Sequence, residues 1–355
     1  MSVNNQYSNI RVAIVGCGNW GKNLVRVFHE LGALYAVCDI ESSRAQTFAN
    51  QYNVPALSFE EILHSSTIDA VIIATPSFTH KSLAHLSLKA NKHVFIEKPM
   101  ALRAKEAILL SQYAQSQMRI LMVGHLIQYH PAFEVLKDLC AQGVLGNIHY
   151  IYSHRLNFGK FPGEPNVLWD FAPHDVSIIL ALFGETPSQV SASGSNALQH
   201  TTLDTTCFQL YFKGNKQAHV FCSWLHPVKE HKLTVIGDKA MAIFNDGEPE
   251  NKLKLFRIPE NCTDGLPHPF TLPAENISLP HAEPLLNECE HFLNAILNRT
   301  EPRTNGVEGS HVISVLETVA QAIEAQLTLP VKISQRNEQS KITSFVSEVE
   351  LEENY

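Results

Sequence analysis

Val12-Ala-Ile-Val-Gly16-Cys-Gly18-Asn-Trp-Gly21 is a short apolar run that breaks into three glycines spaced Gly-x-Gly-x-x-Gly. The run has the length of a strand. Beyond it Leu24, Val27, Phe28 and Leu31 recur at i, i+3, i+4 and i+7, the buried stripe of a helix that Gly32 ends. The first two glycines of such a loop permit a tight turn and close backbone approach to a pyrophosphate, which sits on the amino end of the helix. Gly16, Gly18, Asn19, Trp20 and Gly21 are therefore expected to wrap a dinucleotide. Asp39 ends a second apolar run, Leu34 to Cys38, where a carboxylate can accept a ribose 2′-hydroxyl; it could instead cap the segment starting near Glu41. Ile40 and Glu41 offer no cation to a 2′-phosphate, so NAD is expected over NADP, with Arg44 the nearby residue that argues otherwise.

Outward from this unit, apolar runs at Ala70 to Ala74, Val94 to Ile96 and Ile120 to Val123 alternate with helical patterns. That is the βαβ signature of a parallel, doubly wound sheet, an α/β Rossmann domain over residues 1–125. Thr75, Pro76, Ser77 and His80 follow the third run at its carboxyl end, the edge where ligands bind in open α/β sheets. Thr75, Pro76 and His80 are expected on the cofactor side, although His80 could simply start a surface helix. The fourth run ends in Glu97-Lys98-Pro99, also expected beside the dinucleotide. Pro99 fixes its own φ and bars Lys98 from the helical region, which hangs a lysine from rigid backbone.

From about Asn147 the texture changes. His149 to His154, Gln189 to Ser193, Cys207 to Phe212, His219 to Trp224, Leu233 to Ile236 and Leu253 to Arg257 read as strands without crossover helices, hence an open antiparallel sheet. Helical patterns at about 282–298 and 307–327 are expected to pack back on the body. An α+β domain over 126–335 and a polar tail over 336–355 complete the division. At 355 residues the chain exceeds the roughly 250–300 residues of a single core, so two domains are the default expectation.

The net charge of −8 and the lack of a basic stripe argue against a nucleic-acid partner. The amino terminus lacks the order of a secretory signal, and no apolar run reaches the ~18 residues of a membrane span, so a cytoplasmic protein is expected. Seven scattered cysteines with no Cys-x-x-Cys pair read as reduced thiols, mostly buried. The 18 histidines show no zinc spacing, and no metal is expected.

Asp170 and His174 stand four apart in Trp169-Asp-Phe-Ala-Pro-His-Asp, before the helical stripe Val176, Ile179, Leu180, Phe183, so they share one helical face. Asp170 could be a helix cap and His174 a core histidine, but Pro173 lacks the N–H that an aspartate at the N-cap would bond. Hydride transfer from an alcohol to nicotinamide needs a base for the hydroxyl proton and a cation or donor for the developing alkoxide. Lys98, Asp170 and His174 supply such groups.

The glycine fingerprint with Asp39, Glu97-Lys98-Pro99 and Asp170-x-x-x-His174, in this order, resemble the Gfo/Idh/MocA family of oxidoreductases along nearly the whole chain. The resemblance implies a Rossmann domain, a second domain on an open antiparallel sheet that often forms the subunit interface, and hence a homodimer or homotetramer. It implies that Lys98, Asp170 and His174 are the catalytic group and that the Lys98-Pro99 peptide is cis. The family often has an aspartate three residues after the histidine; here that position is Ser177, and Asp175 adjoins His174 instead.

Asn166 to Asp175, with Gly124-His-Leu-Ile-Gln-Tyr-His-Pro131, is similar to the branch that oxidises the 3-hydroxyl of UDP-N-acetylglucosamine. There the 3-keto sugar passes to a pyridoxal-phosphate aminotransferase, giving a 2,3-diamino sugar for lipid A. Sister enzymes oxidise the corresponding uronic acid; inositol or simple-sugar dehydrogenases and a non-catalytic NAD-binding regulator are the other readings. Arg155, Asn157, Lys160, Asn166 and Trp169 are candidates for sugar and pyrophosphate contacts, as are Tyr129 and His130, though each could equally be a solvated loop residue.

Overall fold

The computed structural model describes residues 5–158, 166–198, 202–259 and 272–325. Lys160, Cys262 and the tail from 336 lie outside these residues, as does the stretch 326–335.

The first half alternates as its runs suggest: β1 (Val12–Val15), α1 (Gly21–Glu30), β2 (Leu34–Cys38), α2 (Ser42–Tyr52), α3 (Phe59–His64), β3 (Ala70–Ile73), α4 (Ser77–Lys89), β4 (His93–Glu97), α5 (Ala104–Ser116), β5 (Leu121–Gly124) and α6 (Pro131–Ala141). The five strands form one parallel sheet in the order β2-β1-β3-β4-β5. Helices on both faces bury β1, β3 and β5 completely, which is why these strands are continuous rather than alternating apolar runs. Strand order reverses between β1 and β3, and a crevice for a ligand opens there at the carboxyl ends.

The second half contains β6 (Ile148–Phe158), α7 (Val167–Phe183), β7 (Gln189–Ser195), β8 (Thr205–Tyr211), β9 (Gln217–Ser223), β10 (Leu225–Gly237), β11 (Ala240–Asn245), β12 (Leu253–Arg257), β13 (Glu275–Asn276), α8 (Pro284–Asn298) and α9 (Gly306–Glu324). Eight strands form one open sheet in the order β13-β12-β11-β10-β6-β9-β8-β7. The sheet is antiparallel, as expected, except that β6 and β9 pair in parallel; against expectation, α7 intervenes between β6 and β7. The strand β11 also went unread.

Alternating burial along β8 shows that one face of this sheet is covered, and α7 and α9 pack against it. The helix α8 packs back on the first sheet, where Phe292 meets Phe28 and Phe95 edge to face at 6.5 and 5.7 Å. Six described cysteines are free thiols, four of them buried.

Candidate active site

The crevice is built from glycine. Gly16 has φ +94°, and a Cβ there would stand 2.7 Å from the Ala74 carbonyl oxygen at the end of β3. A Cβ on Gly21 would stand 1.9 Å from the Gly16 oxygen, so α1 can start this close to β1 only with glycine. A Cβ on Gly18 meets nothing within 4 Å, which leaves the outer side of the loop clear. No acid lies in the first turn of α1 and no side chain caps it, so its amino end is free to receive a diphosphate. Asn19 and Trp20 are exposed on the same loop.

Asp39 is more tightly held than expected. Its carboxylate accepts from Cys17 N at 2.7 Å, Glu41 N at 2.9 Å and Arg44 Nη1 at 3.1 Å, and its side chain is 4% exposed. Three of roughly four acceptor positions are thus taken by the protein, leaving about one for a ribose hydroxyl. Arg44 also pairs with Glu41, so its charge is balanced twice and is not free to bind a 2′-phosphate. These features fit NAD.

Next to the loop lies a cavity of about 450 Å³. Trp20, Thr75, His80, Glu97, Lys98, Trp169, Asp170 and His174 are among the residues that line it. The Lys98-Pro99 peptide is cis, as the resemblance implies. Lys98 Nζ donates to the Asp170 carbonyl at 2.7 Å and lies 3.6 Å from its Oδ1. Trp224 Nε1 donates to Asp170 Oδ2 at 3.3 Å, steadying the carboxylate from β9's far end.

Asp170 does not cap its helix. Asn166 does, accepting from Trp169 N at 3.3 Å, so α7 begins at Val167 and carries Asp170 in its first turn, with Pro173 inside. His174 follows one turn later. Burial, then the charges of Lys98 and Arg155, push its imidazole well below the ordinary value, and its Nδ1 is buried with no hydrogen-bond partner. Burial pushes the Glu97 carboxyl up to about 7 against the opposing pull of a 2.5 Å bond from Trp20 Nε1. His80 is clamped between the Pro99 and Thr75 carbonyls, 2.8 and 2.7 Å from its two ring nitrogens, and burial lowers its pKa.

Several candidates from the sequence lie elsewhere. Arg155 turns away from the cavity onto the buried Asp175, with Nε to Oδ2 at 2.7 Å and Nη2 to Oδ1 at 3.1 Å. Asn166 is engaged as the α7 cap, Asn157 is half-buried on β6, and Pro76 stands at the start of α4; none lines the cavity. Tyr129 is buried on Thr304, and His130 caps α6 while facing Asp246 at 3.4 Å. The sequence reading missed His125, Gln128 and Glu308, which gather around Ser177 one turn beyond His174. The local signals are the stretch Gly124 to Pro131, which contains His125 and Gln128, and Ser177, a small polar residue before the apolar run of α7.

Residues 10–125 match the model of the Gfo/Idh/MocA oxidoreductases with NAD-binding Rossmann fold, and residues 133–243 match the C-terminal domain of the same family. A UDP-N-acetylglucosamine 3-dehydrogenase from Acidithiobacillus ferrooxidans is 27% identical over 320 residues, covering 90% of this chain and 99% of the relative. A solved structure of that enzyme superposes with a TM-score of 0.79 at 26% identity, covering 89% of this chain and 98% of that one. A 2,7-anhydro-N-acetylneuraminate hydratase from Mediterraneibacter gnavus is 26% identical over 244 residues, 64% of this chain and 65% of the relative.

Proposed function

The chain belongs to the NAD-binding Gfo/Idh/MocA oxidoreductase family, and we propose that within it the chain oxidises the 3-hydroxyl of UDP-N-acetylglucosamine to the 3-keto sugar. The observation that carries this reading is the pairing, on one cavity wall beside the dinucleotide crevice, of an anchored lysine with a neutral histidine. A relative of that activity matches along 90% of the chain, which supports the choice of sugar.

The glycine loop from Gly16 to Gly21 would hold the diphosphate of NAD, and Asp39 a ribose hydroxyl. Bound there, NAD would supply the hydride acceptor for the carbinol carbon. Asp170 fixes Lys98 Nζ through its carbonyl and carboxylate. The ammonium therefore has a defined position from which to hold the hydroxyl oxygen and stabilise alkoxide charge. His174 is neutral and takes the hydroxyl proton at a ring nitrogen. Trp20 and Trp169 help to wall the cavity.

This reading includes a division near residue 125 into a dinucleotide domain and a substrate domain, a cytoplasmic homodimer or homotetramer, and a downstream pyridoxal-phosphate aminotransferase that consumes the ketone. Incubation with NAD, glutamate and such an aminotransferase should turn over UDP-N-acetylglucosamine. Turnover with only the uronic acid or inositol would overturn the substrate and leave the chemistry standing.

A further inference from the structure

Glu308, near the start of α9, reaches toward the back of the helix that carries His174. Its Oε1 accepts from Ser177 Oγ at 2.7 Å and from Gln128 Nε2 at 3.0 Å, and stands 3.8 Å from His125 Nδ1. Gln128 Nε2 also reaches Ser177 Oγ at 2.7 Å, closing a small triangle. The amino end of α9 has its own cap, Asn305 Oδ1 accepting from Glu308 N at 3.0 Å, so the carboxyl is not needed there.

Three atoms of this neighbourhood are buried without a partner: Glu308 Oε2, His125 Nδ1 and His174 Nδ1. Unpaired buried polar atoms are costly, and three in one neighbourhood need a reason. Position supplies one. Gly124 and Leu126, on either side of His125, line the first cavity. Glu308 lines a second, open cavity of about 590 Å³ on the other side, with Lys137, Glu185, Arg303 and His311.

We propose that Glu308 is a positioning residue for the dehydrogenation and that, with His125, it forms the path by which the hydroxyl proton leaves the catalytic cavity for the second one. The N–H bond that His174 gained breaks as an N–H bond forms at His125 Nε2; the His125 Nδ1–H bond breaks as an O–H bond forms on Glu308 in its ionised form. Glu308 then releases that proton to solvent in the second cavity, and no electrons change hands. For this transfer His125 Nδ1 has to approach Glu308 Oε1 from 3.8 Å.

The charges around the path agree with this direction. Burial and the Lys98 charge push His125 down to about 3, so the ring stays neutral between transfers. Burial pushes Glu308 up to about 8, while the bonds from Ser177 and Gln128 pull it down. Besides burial, the charges of Lys98 just past β4, of Arg155 on β6, of His125 and of His231 on β10 all lower His174 and discourage a proton from resting there.

The inference rests on His174 taking the hydroxyl proton, so one measurement is made without substrate. In the full-length protein the ring C–H resonances of His125, identified by their loss in His125→Gln, should inflect near the Glu308 value of about 8. That inflection should vanish in Glu308→Gln and move to higher pH in Ser177→Ala, which removes a bond that favours the ionised carboxyl. With NAD and whichever sugar turns over, Glu308→Gln should lower kcat about tenfold, less than the ~10²–10⁴ of a direct acid or base. KM and NAD affinity should hold, the pH inflection in kcat should disappear, and Glu308→Asp should restore part of the rate. A flat His125 titration in the parent protein, or parental kcat and pH profile in Glu308→Gln, would overturn the proposal. Failure of every sugar to turn over would count against the proposed function alone, since the resonance titration decides the path.

Discussion

Arg155→Met should destabilise the fold by about 3–5 kcal/mol, because it leaves a buried carboxylate without its counter-charge. Asp175 is fully buried, and Arg155 meets both its oxygens, at 2.7 and 3.1 Å, from a position only 7% exposed. Ser153 Oγ donates to Asp175 Oδ1 at 2.6 Å and survives the substitution, which places the loss toward the lower end of that range. Methionine keeps most of the packing of the aliphatic stem, so the effect reports the charge. With an unfolding entropy of about 2.1 cal/mol/K per residue over 355 residues, thermal unfolding should shift by roughly 4 °C for a 3 kcal/mol loss. The double variant Arg155→Met, Asp175→Leu removes both charges and should recover most of the lost stability, as replaced buried ion pairs commonly do. Its KM for the sugar should stay at the parental value. If Arg155→Met unfolds within about 1 kcal/mol of the parent while KM for the sugar rises, Arg155 is a substrate ligand and the structural reading of the pair is wrong.

Lys98→Met and His174→Ala should each cut turnover by ~10²-fold or more while NAD affinity, read by calorimetry, stays near parental; equal loss of cofactor binding would make both residues structural. Gly21→Ala places a methyl 1.9 Å from the Gly16 oxygen and should abolish NAD binding with a stability loss of about 1–3 kcal/mol. Gly18→Ala, whose methyl meets no protein atom within 4 Å, should fold normally and weaken NAD binding alone. Burial raises Glu97 from 4.5 to about 7 in the fold. The stability it contributes is complete below its unfolded value and lost as pH rises through about 7. Urea unfolding of Glu97→Gln across that interval should show a flatter pH dependence than the parent.

What the sequence disclosed follows from how local each signal is. Strands β1, β3 and β5 are buried on both faces, so each is a continuous apolar run bounded by turns, and Gly16 to Gly21 encode their loop within six residues. Lys98, Asp170 and His174 sit at a strand end and on one helical face, positions that spacing alone defines. The strand β11 was harder: Ala240–Asn245 alternates buried and half-buried residues over only six positions, too short to separate from a turn. The parallel pairing of β6 with β9 joins residues about 70 positions apart, and no local pattern encodes it.

Arg155 shows the opposite failure. A basic residue after a strand looks like a ligand for a diphosphate until the fold places Asp175 opposite it. Glu308 lies over 130 residues from His174 in sequence, and its neighbours come from two places, His125 and Gln128 from the turn after β5 and Ser177 from α7. Only packing of α9 between the two sheets assembles them.

Transfer of the carbinol hydrogen itself tests the central claim most directly. UDP-N-acetylglucosamine carrying deuterium at C3, incubated with the protein, NAD and a coupled aminotransferase, should yield deuterated reduced nicotinamide, and Lys98→Met should suppress the transfer. Reduced nicotinamide formed without deuterium, or none formed while the uronic acid or inositol is oxidised, would contradict the account.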